Sequence, residues 1–228
     1  MTDIRAALGR WSGALEGEVP IRGIIARHRE AHTSTAPTRS LLIGTASAWR
    51  SHDLLTQALV LYDAGHLLGA RILVRSAIES LAVLAYLNQQ MRGIVAGTVP
   101  FHNFIDKTKT LALGSRNKST EVEALNILTI LQKVEHRIPG LCSVYDALSE
   151  SAHPNHEGLI NGYLTFEDNG WIAKFSNRWA ERYSEGFESY VLVVAQLFYI
   201  EHDLEWSESF ADLERWLATN PQPTSGVN

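Results

Sequence analysis

The chain has 228 residues, of which 45% are hydrophobic and 20% are charged, a balance typical of a soluble globular domain. It carries 20 Lys and Arg against 25 Asp and Glu, and this net charge of −5 argues against a broad nucleic-acid-binding face, though not against a local basic pocket. A core large enough for independent folding is available without metal, and Cys142 has no second cysteine with which to form an internal disulfide.

Targeting signals and the common catalytic motifs are missing from the sequence. The amino terminus has an early acid, Asp3, and lacks the apolar core of a signal peptide. The longest wholly apolar run covers residues 81–87, far short of the roughly 20 residues that a membrane helix needs. No phosphate-binding glycine loop, GxSxG elbow or HExxH motif occurs. We therefore expect a cytoplasmic protein that uses neither a membrane anchor nor a cofactor or metal.

Apolar residues recur at helical spacing along most of the chain, which predicts an all-α bundle of about seven to eight helices. The clearest segment, residues 66–90, is apolar nearly all round, as expected of a helix at the centre of a bundle. The other predicted helices are a short one at residues 21–28 and segments at 38–64, 100–113, 120–135, 141–152, 178–206 and 207–217. No linker divides the chain, so residues 1–219 form one predicted domain, followed by a disordered tail at 220–228.

The sequence period changes from helix to strand at residues 163–175, where two short apolar runs flank an Asn-Gly pair. Asn-Gly favours a type I′ turn, in which both central residues have positive φ. The register that follows from this turn places four apolar side chains on one face of the hairpin: Leu164, Phe166, Ala173 and Phe175. A single hairpin is only marginally stable, so we expect it to pack on the helices.

A stripe of charged residues interrupts the apolar central helix. Arg71, Arg75 and Glu79 are four residues apart, so they share one face of that helix. Charged side chains are seldom fully buried unless they are paired. Either Arg75 and Glu79 pair with each other or with neighbouring helices and fix the packing, or the stripe lines a pocket.

A second stripe has the same spacing on the helix at residues 141–152. It consists of Tyr145, Ser149 and His153, and His153 ends the helix because Pro154 follows it. Ser149 and His153 either bridge helices or, together with the arginines, form a pocket for a phosphate or carboxylate. The adjacent Asn155 and His156 are further binding candidates.

Two more specific chemistries have weaker support in the same region. A metal site at His153, His156 and Glu157 matches no conventional zinc spacing. A nucleophilic Ser149 with His153 as its base lacks a nucleophile elbow, an oxyanion donor and an orienting acid.

The two stripes also carry a resemblance to a known family. The segments LVRSAIESL at residues 73–81 and YDALSESAHP at 145–154 resemble the bacterial domain of unknown function 5677, in which an R-S-x-x-E helix precedes a Y-x-x-L-S-x-x-x-H helix. The resemblance covers roughly residues 50–165. That family is similar to the HEPN group of small helical domains, which includes dimeric, metal-independent ribonucleases of toxin–antitoxin and anti-phage systems as well as inactive scaffolds.

The resemblance implies a role for a His and an Arg near a helix end. In active HEPN proteins, an Arg, four to six residues and a His act across a dimer as general acid/base and as a stabiliser of phosphate charge. His153 lies at the matching helix end, but no Arg occurs within ten residues before it. Arg75 or Arg71 from the other helix would have to substitute, which makes His153 and Arg75 the catalytic candidates.

A literal Arg-to-His spacing of the HEPN type occurs elsewhere in the chain. Arg27 and His32 are separated by four residues, and Arg22 and His28 by five. Chance alone predicts about two such matches in a chain of this composition. These pairs therefore do not support a HEPN-type site unless the first helix faces a dimer cleft.

Three functions follow from these patterns. The first is a non-catalytic helical binding or scaffold protein, in which the stripes are structural and the partner is a protein or a second copy of the chain. The second is a metal-independent, homodimeric ribonuclease using His153 with Arg75 or Arg71. The third is a binder of a small anionic metabolite, held by Arg71, Arg75, Ser149 and His153 in a closed pocket.

Overall fold

The structure is a computed structural model that describes residues 3–19, 21 and 35–220. Within this part of the chain there are nine α-helices and one two-stranded antiparallel sheet, which confirms the predicted all-α bundle with a small hairpin. The elements in chain order are α1 (Ile4–Ala14), α2 (Ala36–Asp63), α3 (Leu67–Val95), α4 (Phe101–Leu113), α5 (Ile127–Val134), α6 (Leu141–Ala152), a π-helical turn (His156–Asn161), β1 (Leu164–Glu167), a 3-10 turn (Asp168–Gly170), β2 (Ile172–Phe175), α7 (Trp179–Tyr183), α8 (Phe187–Tyr199), a π-helical segment (Ile200–Trp206) and α9 (Ser207–Thr219).

The two longest helices, α2 and α3, form the predicted antiparallel hairpin around Gly65. Gly65 has a positive φ of 78°, a conformation that glycine adopts without a Cβ clash. Its amide donates to the carbonyl of Tyr62 at 2.9 Å, and the amide of His66 donates to that of Leu61 at 2.8 Å. These bonds satisfy carbonyls that the end of α2 would otherwise leave unpaired.

Helix α3 lies at the centre of the bundle, as its all-round apolar pattern predicts. It contacts α2 and α4 through α9, together with the π-helical segment between α8 and α9. Its side chains from Ala77 to Leu87 are almost all buried, including Ile78, Leu81 and Leu84. Polar groups on the buried faces of α3 therefore need partners within the protein.

The helix predicted over residues 120–135 is wrong in its first half. Residues 114–126 form a loop, and α5 starts at Ile127 after Asn126, whose side chain accepts a hydrogen bond from the Leu128 amide at 3.0 Å. Thr120, the first residue of the predicted helix, instead donates its hydroxyl to the Leu113 carbonyl and closes the loop. The hydroxyl's local bonds hold this segment in a non-helical conformation.

The helix predicted over residues 178–206 is divided, whereas the break expected after Trp206 does not occur. Gly186, with a φ of 74°, separates α7 from α8. At the far end, α8 continues through the π-helical segment into α9. Within that segment, the side-chain amide of Asn88 on α3 donates to the Glu201 carbonyl at 2.8 Å.

The amino-terminal part of the bundle differs from the sequence prediction as well. Helix α1 was not predicted, yet its Ile4 and Leu8 are buried in the main core. The predicted helix at 21–28 falls almost wholly outside the described residues. Arg22, Arg27, His28 and His32 and the tail from residue 221 onward also lie outside them.

The hairpin has the predicted register but not the predicted packing. Leu164 pairs with Phe175 and Phe166 with Ala173, and both turn residues, Asn169 and Gly170, have positive φ. However, every residue of β2 is exposed to solvent. The hairpin therefore projects from the bundle at its turn and along β2, and the expected packing is limited to β1, which begins half-buried and contacts the π-helical turn.

Candidate functional site

The two polar stripes face each other across the contact between α3 and α6. Arg71, Arg75 and Glu79 project from α3, and Tyr145 and Ser149 project from α6. Both helices place these residues one turn apart, so successive guanidinium groups meet successive turns of α6. We call these five residues, with Ser151 and Glu157, the arginine network.

Arg71 is the buried member of the arginine network. Its Nε donates to Ser151 Oγ at 2.7 Å and its Nη2 to the Ala147 carbonyl at 3.1 Å. Glu157 lies 3.6 Å from Nη2, and the guanidinium sits 4.7 Å from the centre of the Tyr183 ring. Burial lowers the pKa of Arg71, which the charge of Glu157 partly opposes. These contacts supply the pairing that a buried charge needs.

Arg75 is half-buried and engages the second stripe directly. Its Nε donates to Ser149 Oγ at 2.8 Å, and its Nη2 donates to the Tyr145 hydroxyl. Its Nη1 pairs with Glu79 Oε1 at 3.1 Å, so one of the two alternatives for the α3 stripe, pairing within the stripe, occurs in the structure. The guanidinium also lies 4.6 Å from the centre of the Tyr145 ring.

Tyr145 links the two charges of the α3 stripe. Its hydroxyl donates to Glu79 Oε1 at 2.9 Å while accepting from Arg75. Burial raises the pKa of Tyr145, and the hydrogen bond to Glu79 raises it further. The phenol is therefore a structural donor that stays protonated, not a base.

The raised pKa of Tyr145 predicts a loss of stability at alkaline pH. An unfolded tyrosine ionises near pH 10, whereas Tyr145 in the folded protein keeps its proton to higher pH. The contribution of Tyr145 to the free energy of unfolding is therefore complete below about pH 10, and it is lost as the pH rises through the folded-state pKa of Tyr145. We expect the free energy of unfolding in urea to fall more steeply from about pH 9 to about pH 11 in the wild type than in Tyr145→Phe. Burial also raises the pKa of Tyr86, so a residual slope remains in the variant. Equal slopes in the two proteins would contradict this role for Tyr145.

The histidine candidates lie outside the arginine network. His153 is the exposed C-cap of α6, and His156 is exposed at the start of the π-helical turn. Neither ring makes a hydrogen bond or ion pair with a described residue. Asn155 is structural here, because its side chain accepts from the Gly158 amide at 3.0 Å and donates to Glu150 at 2.5 Å.

Two network members were not predicted in this role: Ser151 was not considered, and Glu157 was considered only as a metal ligand. Ser151 accepts from Arg71 and donates to Glu157 Oε1 at 2.8 Å, which places Glu157 beside the guanidinium. A usable signal was present, because Ala147 and Ser151 form a stripe of small residues one turn apart and leave room for a large side chain from the facing helix. Glu157 lies in a π-helical turn that has no comparable sequence signature.

The described residues contain no candidate metal site and no candidate membrane-spanning helix. No group of three or more His, Cys, Asp or Glu side chains among them is arranged to hold a metal ion. No helix in residues 3–19 or 35–220 combines the length and apolar character that a membrane span requires.

The projecting hairpin is a second candidate site. Phe166 is 63% exposed, Phe175 is 76% exposed, and Trp171, which follows the turn, is 89% exposed. Phe166 and Phe175 lie on one face of the sheet, as the register requires. The hairpin is attached at its base, where the Ser176 amide donates to the Tyr163 carbonyl at 2.9 Å and the Arg178 amide donates to the Gly162 carbonyl at 2.9 Å.

Comparisons of the chain with protein-family models, with curated proteins and with solved structures find no match. The resemblance to domain of unknown function 5677 therefore stays a prediction from two motifs. Any functional argument depends on the arginine network, the hairpin and the surfaces around them.

Proposed function

We propose that the protein is a non-catalytic helical scaffold that works as a homodimer, with the exposed aromatic hairpin as its self-association surface. The observation that carries the proposal is the exposure of Phe166, Trp171 and Phe175 on one short projecting element. Because of the HEPN-like resemblance, we further propose that the protein acts in bacterial defence or in a toxin–antitoxin pair.

The exposed apolar area is large for a chain that stays monomeric. Three aromatic side chains of about 150–250 Å² each, at these exposures, leave on the order of 400 Å² of ring surface in water. Leu159 and Ile160 of the adjoining π-helical turn are also exposed and extend the patch. The total approaches the roughly 800 Å² that each partner contributes to a standard interface, and patches of this size mark interaction sites.

The charge of the hairpin favours a second copy as the partner. Lys174 Nζ and Glu167 Oε2 pair with each other at 2.5 Å, which leaves this pair with no net charge. In a two-fold dimer, the same patch of each subunit meets its equivalent on the other subunit, so the patch must not carry charges that repel their own equivalents. Each strand also has one unpaired edge in the two-stranded sheet, which a second hairpin can extend.

The arginine network supports the non-catalytic part of the proposal. The guanidinium groups of Arg71 and Arg75 are bound to residues of α6 and to Glu157 and Glu79. A ribonuclease needs an arginine free to stabilise a phosphate beside the histidine. In the described residues these arginines hold helices together, whereas His153 is exposed and its ring makes no hydrogen bond or ion pair with a described residue. The ribonuclease alternative therefore stays a prediction from the family resemblance.

The oligomeric state in solution tests the proposal. We expect wild-type protein to sediment as a dimer at about 100 µM, and we expect the double variant Phe166→Ser, Phe175→Ser to dissociate at least about thirtyfold more readily, because central aromatic residues dominate interface energies. Val60→Ser is the matched control, since Val60 is 62% exposed on α2, away from the hairpin.

Two results would contradict the proposal. One is a wild-type protein that is monomeric over the whole concentration range. The other is a dimer that the hairpin variant and Val60→Ser weaken equally. Circular dichroism of both variants excludes unfolding as the cause, and the exposed positions make unfolding unexpected.

A further inference from the structure

An open cleft lies on the flank of the bundle, between α2, α3 and the loop at residues 114–126. Its volume is about 500 Å³, and three arginines, Arg50, Arg75 and Arg116, line it together with Glu79. Arg50 comes from α2, Arg75 and Glu79 from α3, and Arg116 from the loop. The chain has a net charge of −5, so three arginines at one cleft give that cleft a local charge of the opposite sign.

Among the described residues, only one acidic side chain of the cleft lining offsets its three arginines. Glu79 is paired with Arg75 at 3.1 Å. Arg50 and Arg116 are exposed, and neither makes a hydrogen bond or ion pair with a described residue. Two guanidinium groups with no partner among the described residues therefore line one cavity, and each has a planar fork that matches a phosphate or carboxylate.

The arginines of the cleft are held on ordered backbone. Arg75 is fixed by its bonds to Ser149 and Glu79. The loop that carries Arg116 is closed at its base, where the Ser115 amide donates to the Val122 carbonyl at 2.8 Å. Gly114 tightens this closure, because a Cβ there would lie 2.7 Å from the Ala124 Cα. A preorganised loop lowers the entropy cost of binding a ligand.

The remaining lining of the cleft consists of two serines, Ser47 and Ser80, and three apolar residues. The apolar residues are Val83 from α3, Leu125 from the loop and Ile127 from α5. We propose that this cleft binds a small organic anion, with its phosphate or carboxylate group on Arg50 and Arg116 and its apolar body against Val83, Leu125 and Ile127. Small-molecule sites combine such an apolar wall with a few placed polar groups.

Calorimetric titration with three simple probes tests the cleft at constant ionic strength. The probes are phenyl phosphate, inorganic phosphate and benzoate. We expect phenyl phosphate or benzoate to bind more tightly than inorganic phosphate, since only these two carry both an anionic group and an apolar ring. The better of the two identifies phosphate or carboxylate as the preferred anion.

Single-site variants locate the binding. Arg50→Gln and Arg116→Gln should each weaken binding of the better probe about tenfold, the effect of losing one charge-assisted hydrogen bond. Arg182→Gln is the matched control, because Arg182 is an exposed arginine on α7 outside the cleft. Leu125→Ser should reduce the advantage of the ring-bearing probe and leave binding of inorganic phosphate unchanged.

The proposal is overturned if none of the three probes binds. It is equally overturned if Arg182→Gln weakens binding as much as Arg50→Gln, because that result means general attraction to positive charge. The hairpin is not part of the cleft, so this test and the dimer test succeed or fail independently.

Discussion

Replacing Arg71 with alanine is expected to lower the free energy of unfolding by about 3–4 kcal/mol, the cost of breaking a buried charged pair by removing one partner. The variant removes the donor to Ser151 and to the Ala147 carbonyl, and it leaves Glu157 without its nearby cation. It also removes the stem and guanidinium that pack on the ring of Tyr183. The contact between α3 and α6 then contains a cavity lined by unpaired polar groups.

Arg5→Ala is the control that distinguishes the loss of a buried charge from the loss of an exposed one. Arg5 makes two ion pairs, at 2.5 Å to Asp63 and at 2.7 Å to Glu188, but its side chain is 45% exposed. Solvent screens both pairs, so we expect a loss of at most about 1 kcal/mol. Urea unfolding followed by circular dichroism measures both variants. If Arg71→Ala costs no more than Arg5→Ala, Arg71 does not hold the bundle together.

The apolar pattern predicts the core of the fold because burial dominates its stability. Residues 66–90 are apolar on every side, and α3 occupies the centre of the bundle. The hairpin register also follows from sequence, because the Asn-Gly pair favours positive φ at both turn positions and the side-chain period of a strand then assigns each face.

Sequence periodicity does not report which apolar surfaces stay uncovered. Phe166 and Phe175 lie in strands whose apolar residues alternate as in a half-buried strand, yet both side chains are largely exposed to solvent. Helix boundaries were missed where local hydrogen bonds compete with the helix, as at Thr120 and Asn126. The contact between Asn88 and the π-helical segment could not be predicted either, because Asn88 lies more than a hundred residues away in the chain.

The candidate site was predictable along each helix but not between helices. Spacing of four residues correctly assigns Arg71, Arg75 and Glu79 to one face. The partner of each guanidinium depends on how α6 is placed against α3, which no local pattern specifies. His153 shows the limit most clearly, because its position at a helix end was predicted and its exposure outside the arginine network was not.

Gly158→Ala is expected to lower the free energy of unfolding by about 2–3 kcal/mol through a steric clash. A Cβ at this position would lie 2.0 Å from the His153 carbonyl oxygen, and backbone atoms cannot move aside as a side-chain end can. Gly9→Ala is the opposite control, since Gly9 is exposed within α1 and a Cβ there meets nothing within 4 Å. Alanine at Gly9 should stabilise the protein by about 0.5–1 kcal/mol.

The two destabilising variants, Arg71→Ala and Gly158→Ala, should be coupled, because Gly158 belongs to the π-helical turn that presents Glu157 to Arg71. If the clash displaces this turn, Glu157 and its bond to Ser151 are already lost in Gly158→Ala. Combining the variants should then cost less than the sum of the two, by at least about 0.5 kcal/mol. Strict additivity in the double-mutant cycle would mean that the turn and the guanidinium stabilise the bundle separately. A negative coupling energy would instead assign the turn a specific role, that of positioning the carboxylate of Glu157 beside Arg71.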